Sequence, residues 1–163
     1  MNARTITFHT LTFLMLCIGA VARAEEPNYI GKVVTIKTAK ESTSCIRIEN
    51  FVPEIGAFKH DAPGDCSFKV EAGTQPGTLL FRWVKDPTLY LQHRGFRLLL
   101  LNTDPADASF RVVHPLKGNE GLSLQAASWP THHLCVVEKN QIFISPNIKD
   151  LRKAVFFIQE VTK

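Results

Sequence analysis

Four short apolar runs occur in order three times along the chain, and any fold must accommodate all three copies. The opening runs are VTIK (34–37), LFRW (80–83) and LSLQ (122–125). The second runs are CIRI (45–48), YLQH (90–93) and HLCV (133–136). The third are AFK (57–59), RLLL (97–100) and QIFI (141–144), and the fourth SFKV (67–70), SFRV (109–112) and VFFI (155–158). The middle copy is the sharpest: residues 88–110, TLYLQHRGFRLLLLNTDPADASF, carry a single His93 and, ahead of the next run, Asp107.

Alternation with a period of two dominates these runs, which predicts strands rather than helices. Turn residues separate them, among them Gly64-Asp65, Pro76-Gly77, Asp86-Pro87, Asp104-Pro105 and Ser145-Pro146-Asn147. Landmarks recur at similar intervals, Ile46 with Leu91 and Leu134, and Phe68 with Phe110 and Phe156. The units span about 33–73, 78–118 and 121–161, so three units of four strands give twelve. An open array of three repeats needs capping units, and none is visible. Closing the three units into one barrel removes the exposed edges, and the expected fold is therefore an all-β β-trefoil of three four-stranded repeats.

Residues 1–24 stand apart from this pattern. Arg4 precedes the apolar stretch TLTFLMLCIGAV (10–21), and Ala22-Arg23-Ala24 supplies small residues ahead of Glu25 and Glu26. This is the pattern of a secretory signal peptide cleaved after Ala24, with the trefoil occupying 25–163 and a secreted, extracellular product. The run is short for a bilayer span, and no second apolar segment is long enough to cross a membrane, so no membrane contact is expected after cleavage. Three cysteines remain, Cys45, Cys66 and Cys135, which an oxidising compartment lets form one bridge. The formal net charge of +4 falls by two when Arg4 and Arg23 leave, and the remaining cations are scattered singly, which argues against a nucleic-acid partner.

The segment YLQHRGFRLLLLNTDPADASFRVV (90–113) resembles the arabinose-binding (AbfB, family-42 carbohydrate-binding) module of α-L-arabinofuranosidases. That family repeats a pattern close to Y-L-R-H-x-x-F-x-L-x-L followed by D-A-T-F-x-V. The first unit reads CIRIENF (45–51) with DCSFKV (65–70), the second YLQHRGF (90–96) with DASFRV (107–112), and the third HLCVV (133–137) with KAVFFI (153–158). The resemblance covers nearly all of the chain after residue 24. It implies a trefoil in which each unit's motif His and Asp bind a furanose side group through hydroxyl hydrogen bonds.

Carried over by position, only the second unit keeps both, as His93 and Asp107. The first keeps Asp65 but has Ile48 for the His; the third has Val136 for the His and Lys153 for the Asp. The ligand-binding candidates are therefore His93, Asp107 and Asp65. An Asp ahead of a strand also caps turns, and Asp65 persists where the His is gone, so a turn role competes for both carboxylates. Tyr90, three residues from His93, is expected on the opposite face of its strand. The family geometry brings the second strand of a unit near its D-x-x-F turn, which implies a Cys45–Cys66 bridge, with pairings of Cys135 left open.

Other constellations carry less. In the family that the chain resembles an aromatic–Pro pair occupies this turn, which implies that Trp129, before Pro130, is a packed turn residue, with sugar stacking as its alternative. His132, His133 and Cys135 include adjacent strand residues that face opposite ways, so no metal is expected, and no cofactor. A glycosidase needs two carboxylates flanking the scissile bond, and neither such a pair nor a nucleophile motif is found. The expected function is non-catalytic, lectin-like carbohydrate binding, to a glycan with arabinofuranose-like side groups or another furanose or pyranose ligand. The alternative is a secreted trefoil that binds a protein partner, as trefoil cytokines and inhibitors do, with vestigial sugar pockets.

Overall fold

A computed structural model describes residues 28–39, 43–57, 63–102 and 104–162. The expected leader lies outside the described residues. The first unit contributes β1 (Val33–Thr38), β2 (Ser44–Glu49), β3 (Val52–Ala57) and β4 (Phe68–Ala72). The second contributes β5 (Thr78–Trp83), β6 (Leu89–Arg94), β7 (Arg97–Asn102) and β8 (Phe110–Val113). The third contributes β9 (Ser123–Ala126), β10 (His133–Val136), β11 (Ile142–Ser145) and β12 (Phe156–Glu160). One short helix, α1 (Pro105–Ala108), precedes β8, and 3-10 turns at Pro63–Cys66 and Leu151–Ala154 precede β4 and β12.

The strand pairing is that of a β-trefoil. The outer strands of the units form a closed antiparallel ring in which β1 pairs with β4, β4 with β5, β5 with β8, β8 with β9, and β12 with β1. The ring closes through Leu122 and Phe156, which exchange backbone hydrogen bonds at 2.9 and 2.8 Å. The inner strands form three hairpins, β2–β3, β6–β7 and β10–β11. Links between β7 and β11 and between Glu54 and Gln141 draw these hairpins together.

The core repeats with the chain. Phe68, Phe110 and Phe156 open the fourth strands and are at most 1% exposed. Each hairpin turns one aliphatic pair inward: Ile46 opposite Ile55, Leu91 opposite Leu100, Leu134 opposite Ile144. All six are buried, and side chains of this size contribute about 1.5–3 kcal/mol each on burial. Threefold repetition of sequence thus becomes threefold layering of the core.

One strand differs from its expectation. The third strand of the first unit is Val52–Ala57, whereas the alternation placed it at 57–59, of which 58 and 59 lie outside the described residues. Pro53 and Gly56 mask the pattern. Pro53 sits opposite Ile48 in the hairpin, and the absence of a Cβ at Gly56 leaves room for the Arg47 side chain, which a larger residue would have to displace.

Candidate functional site

The site begins with one substitution in the hairpin layers. Two residues beyond Ile46, Leu91 and Leu134, the strands carry Ile48, His93 and Val136, paired with Pro53, Leu98 and Ile142. His93 therefore fills a position that the other units give to β-branched aliphatics, and it is 1% exposed. A buried imidazole costs free energy unless both nitrogens find partners. Both do. Nδ1 lies 3.2 Å from the Gly95 carbonyl oxygen and Nε2 lies 2.8 Å from Ser128 Oγ.

Asp107 completes the arrangement. Its Oδ1 lies 3.0 Å from Ser128 Oγ and 3.3 Å from His93 Nε2. The carboxylate is held there by a short, well-determined turn. Asp104 caps α1 by accepting from the Ala106 amide at 3.2 Å, and Pro105 sits at the first helical position with its preset φ. Gln92, buried beside His93, accepts the Asp104 amide at 2.9 Å through Oε1, and Ser109 Oγ donates to the Pro105 carbonyl at 2.7 Å. The turn role expected for Asp107 is thus filled by Asp104. Asp107 remains 36% exposed, with one edge towards Ser128.

The protons in this chain of contacts can be counted. A carbonyl oxygen only accepts, so Nδ1 carries hydrogen and donates to Gly95. With a neutral ring, Nε2 then accepts the Ser128 hydroxyl proton, and that proton is not available to Asp107. With a second ring proton, Nε2 donates towards Ser128 and Asp107 while the hydroxyl donates to the carboxylate, and every contact is satisfied.

A cavity of about 380 Å³ opens over this cluster, with Arg94, Asn102, Asp104 and Asp107 around it and His93 at its wall. Trp129 stands against the imidazole, with ring centroids 5.1 Å apart. Trp129 also meets Phe96 at 5.6 Å and His132 at 4.9 Å, and Phe96 is 55% exposed. The half-buried Trp129 is therefore packed into its turn, as the resemblance implies. It is packed specifically against His93.

The expected residues are distributed as follows. His93 and Asp107 are brought together. Asp65 lies in the first unit, where its carboxylate accepts from Lys85 Nζ at 2.5 Å. Tyr90 points away from His93 and donates to Glu71 at 3.1 Å; burial, reinforced by Glu71, raises its phenol above the ordinary range. Cys45 and Cys66 form a disulfide, Cα to Cα 6.2 Å, joining β2 to the turn before β4. Cys135 is free and buried. Burial together with the neighbouring His132 lowers His133 below the usual imidazole range, and no group of three metal-ligating side chains occurs among the described residues.

Ser128 is the residue that the unit-by-unit reading misses. Phe68 pairs with Trp83 and Phe110 with Ala126, so Ser128 in the third unit corresponds to Lys85 in the second. Each pocket is built from one unit's D-x-x-F turn and from the segment after the next unit's first strand. The signal was present as two residues at matching distances past β5 and β9, but it requires the pocket to cross a unit boundary.

No protein-family model matches the chain, and no curated protein matches it in sequence. Solved structures do match in fold. An arabinofuranosidase complexed with arabinofuranosyl-α-1,2-xylobiose superposes with a TM-score of 0.70 at 24% identity, over 80% of this chain and 31% of that one. SeviL bound to asialo-GM1 saccharide gives 0.65 at 8% identity, over 80% of this chain and 98% of that one. The Polyporus squamosus lectin bound to a Neu5Acα2-6Galβ1-4GlcNAc epitope gives 0.63 at 12% identity, over 80% and 49%. This chain spans about a third of the arabinofuranosidase, and at these identities the likeness is one of fold.

Proposed function

We propose that this chain is a secreted, non-catalytic carbohydrate-binding module whose one intact pocket lies in the second unit, at His93 and Asp107. The observation that carries the reading is the meeting of these two side chains, 3.3 Å apart, beside an open cavity. In this reading Asp107 accepts the hydroxyl hydrogens of a furanose-like side group, and charge-assisted bonds of this kind are the strong ones. His93, buried and bonded to Ser128, fixes the carboxylate from below. The segment 90–113 supports an arabinofuranose-like ligand through its resemblance to the arabinose-binding modules. The matching folds with bound saccharides support glycan binding in general. Asp65, bonded to Lys85, takes the lesser role.

Secretion is proposed from the residue pattern of 1–24 and fits the Cys45–Cys66 disulfide, which belongs to oxidising compartments. No helix among the described residues is long and apolar enough to cross a membrane. Binding rather than hydrolysis is proposed because the second carboxylate at the cavity, Asp104, is engaged in capping α1.

The test is a glycan array followed by calorimetric titration of arabinan oligosaccharides into wild type, His93→Ala and Asp107→Ala proteins. Binding by wild type and its loss in both folded variants supports the reading. Absence of any glycan signal at millimolar ligand overturns it in favour of a protein partner. Exposed Phe51 and Val52 on the first hairpin and Val84 nearby are the apolar surface that such a partner would cover.

A further inference from the structure

A second cavity, of about 650 Å³, opens on the far side of the third unit's turn, between the β8–β9 loop and the segment 150–155. It shares Asp150 and Lys153, the counterparts of Asp104 and Asp107, with the position that corresponds to the His93 pocket, but extends from there towards the β8–β9 loop. Val136, the counterpart of His93, does not line it.

The reason for the opening is local. In the second unit the corresponding loop is tied down: the Thr74 amide and hydroxyl both lie 3.2 Å from Ser109 Oγ. Phe110 and Phe156 correspond, so Ser109 is replaced in the third unit by Val155, which has no hydroxyl. The tip of the β8–β9 loop therefore lacks that tether. Its base is nevertheless fixed, because Ser123 Oγ accepts from the Leu116 amide at 3.1 Å and donates to the Ala154 carbonyl at 2.7 Å. The cavity is preformed rather than collapsed, and its size falls in the range of small-ligand sites.

Its lining has a definite chemistry. Lys117 comes from the loop, and Arg152 and Lys153 from the turn, facing Glu120 and Asp150. Asp150 is already engaged with Arg152, at 3.1 and 3.3 Å, and that hydrogen bonding holds its carboxyl below the usual range. Among the described residues neither Lys117 nor Lys153 has an ion-pair partner. Lys153 stands where the other units place Asp65 and Asp107, so the charge of the turn is reversed. The partly exposed Phe157 adds apolar surface of the kind that a sugar's C–H face covers.

We propose that this cavity binds a hexuronate residue of an acidic polysaccharide, with Lys117 and Lys153 receiving the carboxylate, Glu120 accepting from ring hydroxyls and Phe157 flanking the ring. The site does not depend on the His93–Asp107 pocket and is tested apart from it.

The experiment is a two-dimensional NMR titration of the folded protein with trigalacturonate, with its methyl ester as the uncharged counterpart and with inorganic phosphate. The acid is expected to shift the amides of Gly118, Asn119, Glu120 and Lys153, with binding that weakens as salt rises. The Lys117→Glu/Lys153→Glu variant is expected to bind about tenfold more weakly or worse, since two charged hydrogen-bond donors are lost. Asp107→Ala is expected to bind the acid as wild type does, so failure of the furanose pocket leaves this result intact. Equal binding of the ester, equal binding of phosphate, retention of affinity by the double variant, loss in Asp107→Ala, or no shift at millimolar ligand would each overturn the proposal.

Discussion

Asp65 and Lys85 form an ion pair at 2.5 Å in the positions that Asp107 and Ser128 occupy one unit later. The same framework thus sets a carboxylate against an ammonium in one pocket and against a hydroxyl beside an imidazole in the other. In the first, Ile48 replaces His93 and the carboxylate is neutralised by its neighbour. Asp65→Ala and Lys85→Ala are therefore expected to leave glycan affinity unchanged, where Asp107→Ala abolishes it. Their effect on stability is expected within about 1 kcal/mol, as for other solvent-accessible pairs. Calorimetric titration beside denaturant unfolding reads both quantities, and a loss of glycan binding in Asp65→Ala would move the site to the first unit.

Ser128 links His93 to Asp107, so its hydroxyl should matter to both. Ser128→Ala leaves a buried ring nitrogen without its 2.8 Å partner and is expected to cost about 1–2 kcal/mol. It also releases the carboxylate from its nearest neighbour, so glycan affinity falls with it. Ser128→Thr keeps the hydroxyl and restores both. If Ser128→Ala matches wild type in unfolding and in titration, the three-residue relay has no role.

His93 separates fold from function because the chain itself displays the alternatives, Ile48 and Val136, at the same position. His93→Val is expected to fold and to unfold within about 1.5 kcal/mol of wild type, since aliphatic packing is native to that layer. His93→Ala leaves a void and costs about 2–4 kcal/mol. Neither binds glycan. Binding retained by His93→Val would show that the imidazole is a core residue and nothing more.

The Cys45–Cys66 bridge closes a loop across 21 residues that includes β3, the strand interrupted by Pro53 and Gly56. On the chain-entropy model a loop of this size contributes about 3 kcal/mol. The Cys45→Ala/Cys66→Ala variant is expected to lose about that much in urea unfolding while keeping affinity for the glycan, since the second unit's pocket touches neither residue. A stability change below about 1 kcal/mol would assign the loop's order to its packing instead.

What was legible in the sequence was whatever repeats. Phe68, Phe110 and Phe156, and the pairs led by Ile46, Leu91 and Leu134, announce the threefold layers, and the alternation around them places eleven of the twelve strands. β3 was hidden because Pro53 and Gly56 break the period that identifies strands, although the hairpin register tolerates both. His93 and Asp107 were legible as a pair through the family-like motif. Their connection through Ser128 was not, because it crosses from one unit to the next, and a linear comparison of units aligns Ser128 with Lys85 without showing what either faces. Asp104 was equally hard to separate from Asp107: both precede β8, and only the capping geometry decides which one holds the turn.

Cys135 provides the last test, through pH. It is 3% exposed, and burial pushes its thiol up to about 11, against a small opposing effect of Lys153. The folded state therefore holds the thiol proton more tightly than the unfolded state. The sign follows: the protonated thiol's contribution is complete below the ordinary thiol value of 9.0 and is lost as pH rises towards about 11. A shift of this size corresponds to about 3 kcal/mol of linked stability. Urea unfolding of wild type and Cys135→Ala across that alkaline window isolates the effect, because the other titrating groups are common to both. Wild type is expected to lose stability more steeply than the variant, and alkylation of Cys135 by iodoacetamide at neutral pH is expected only in urea. Parallel pH profiles, or rapid alkylation of the native protein, would place the thiol at the surface and contradict its position in β10.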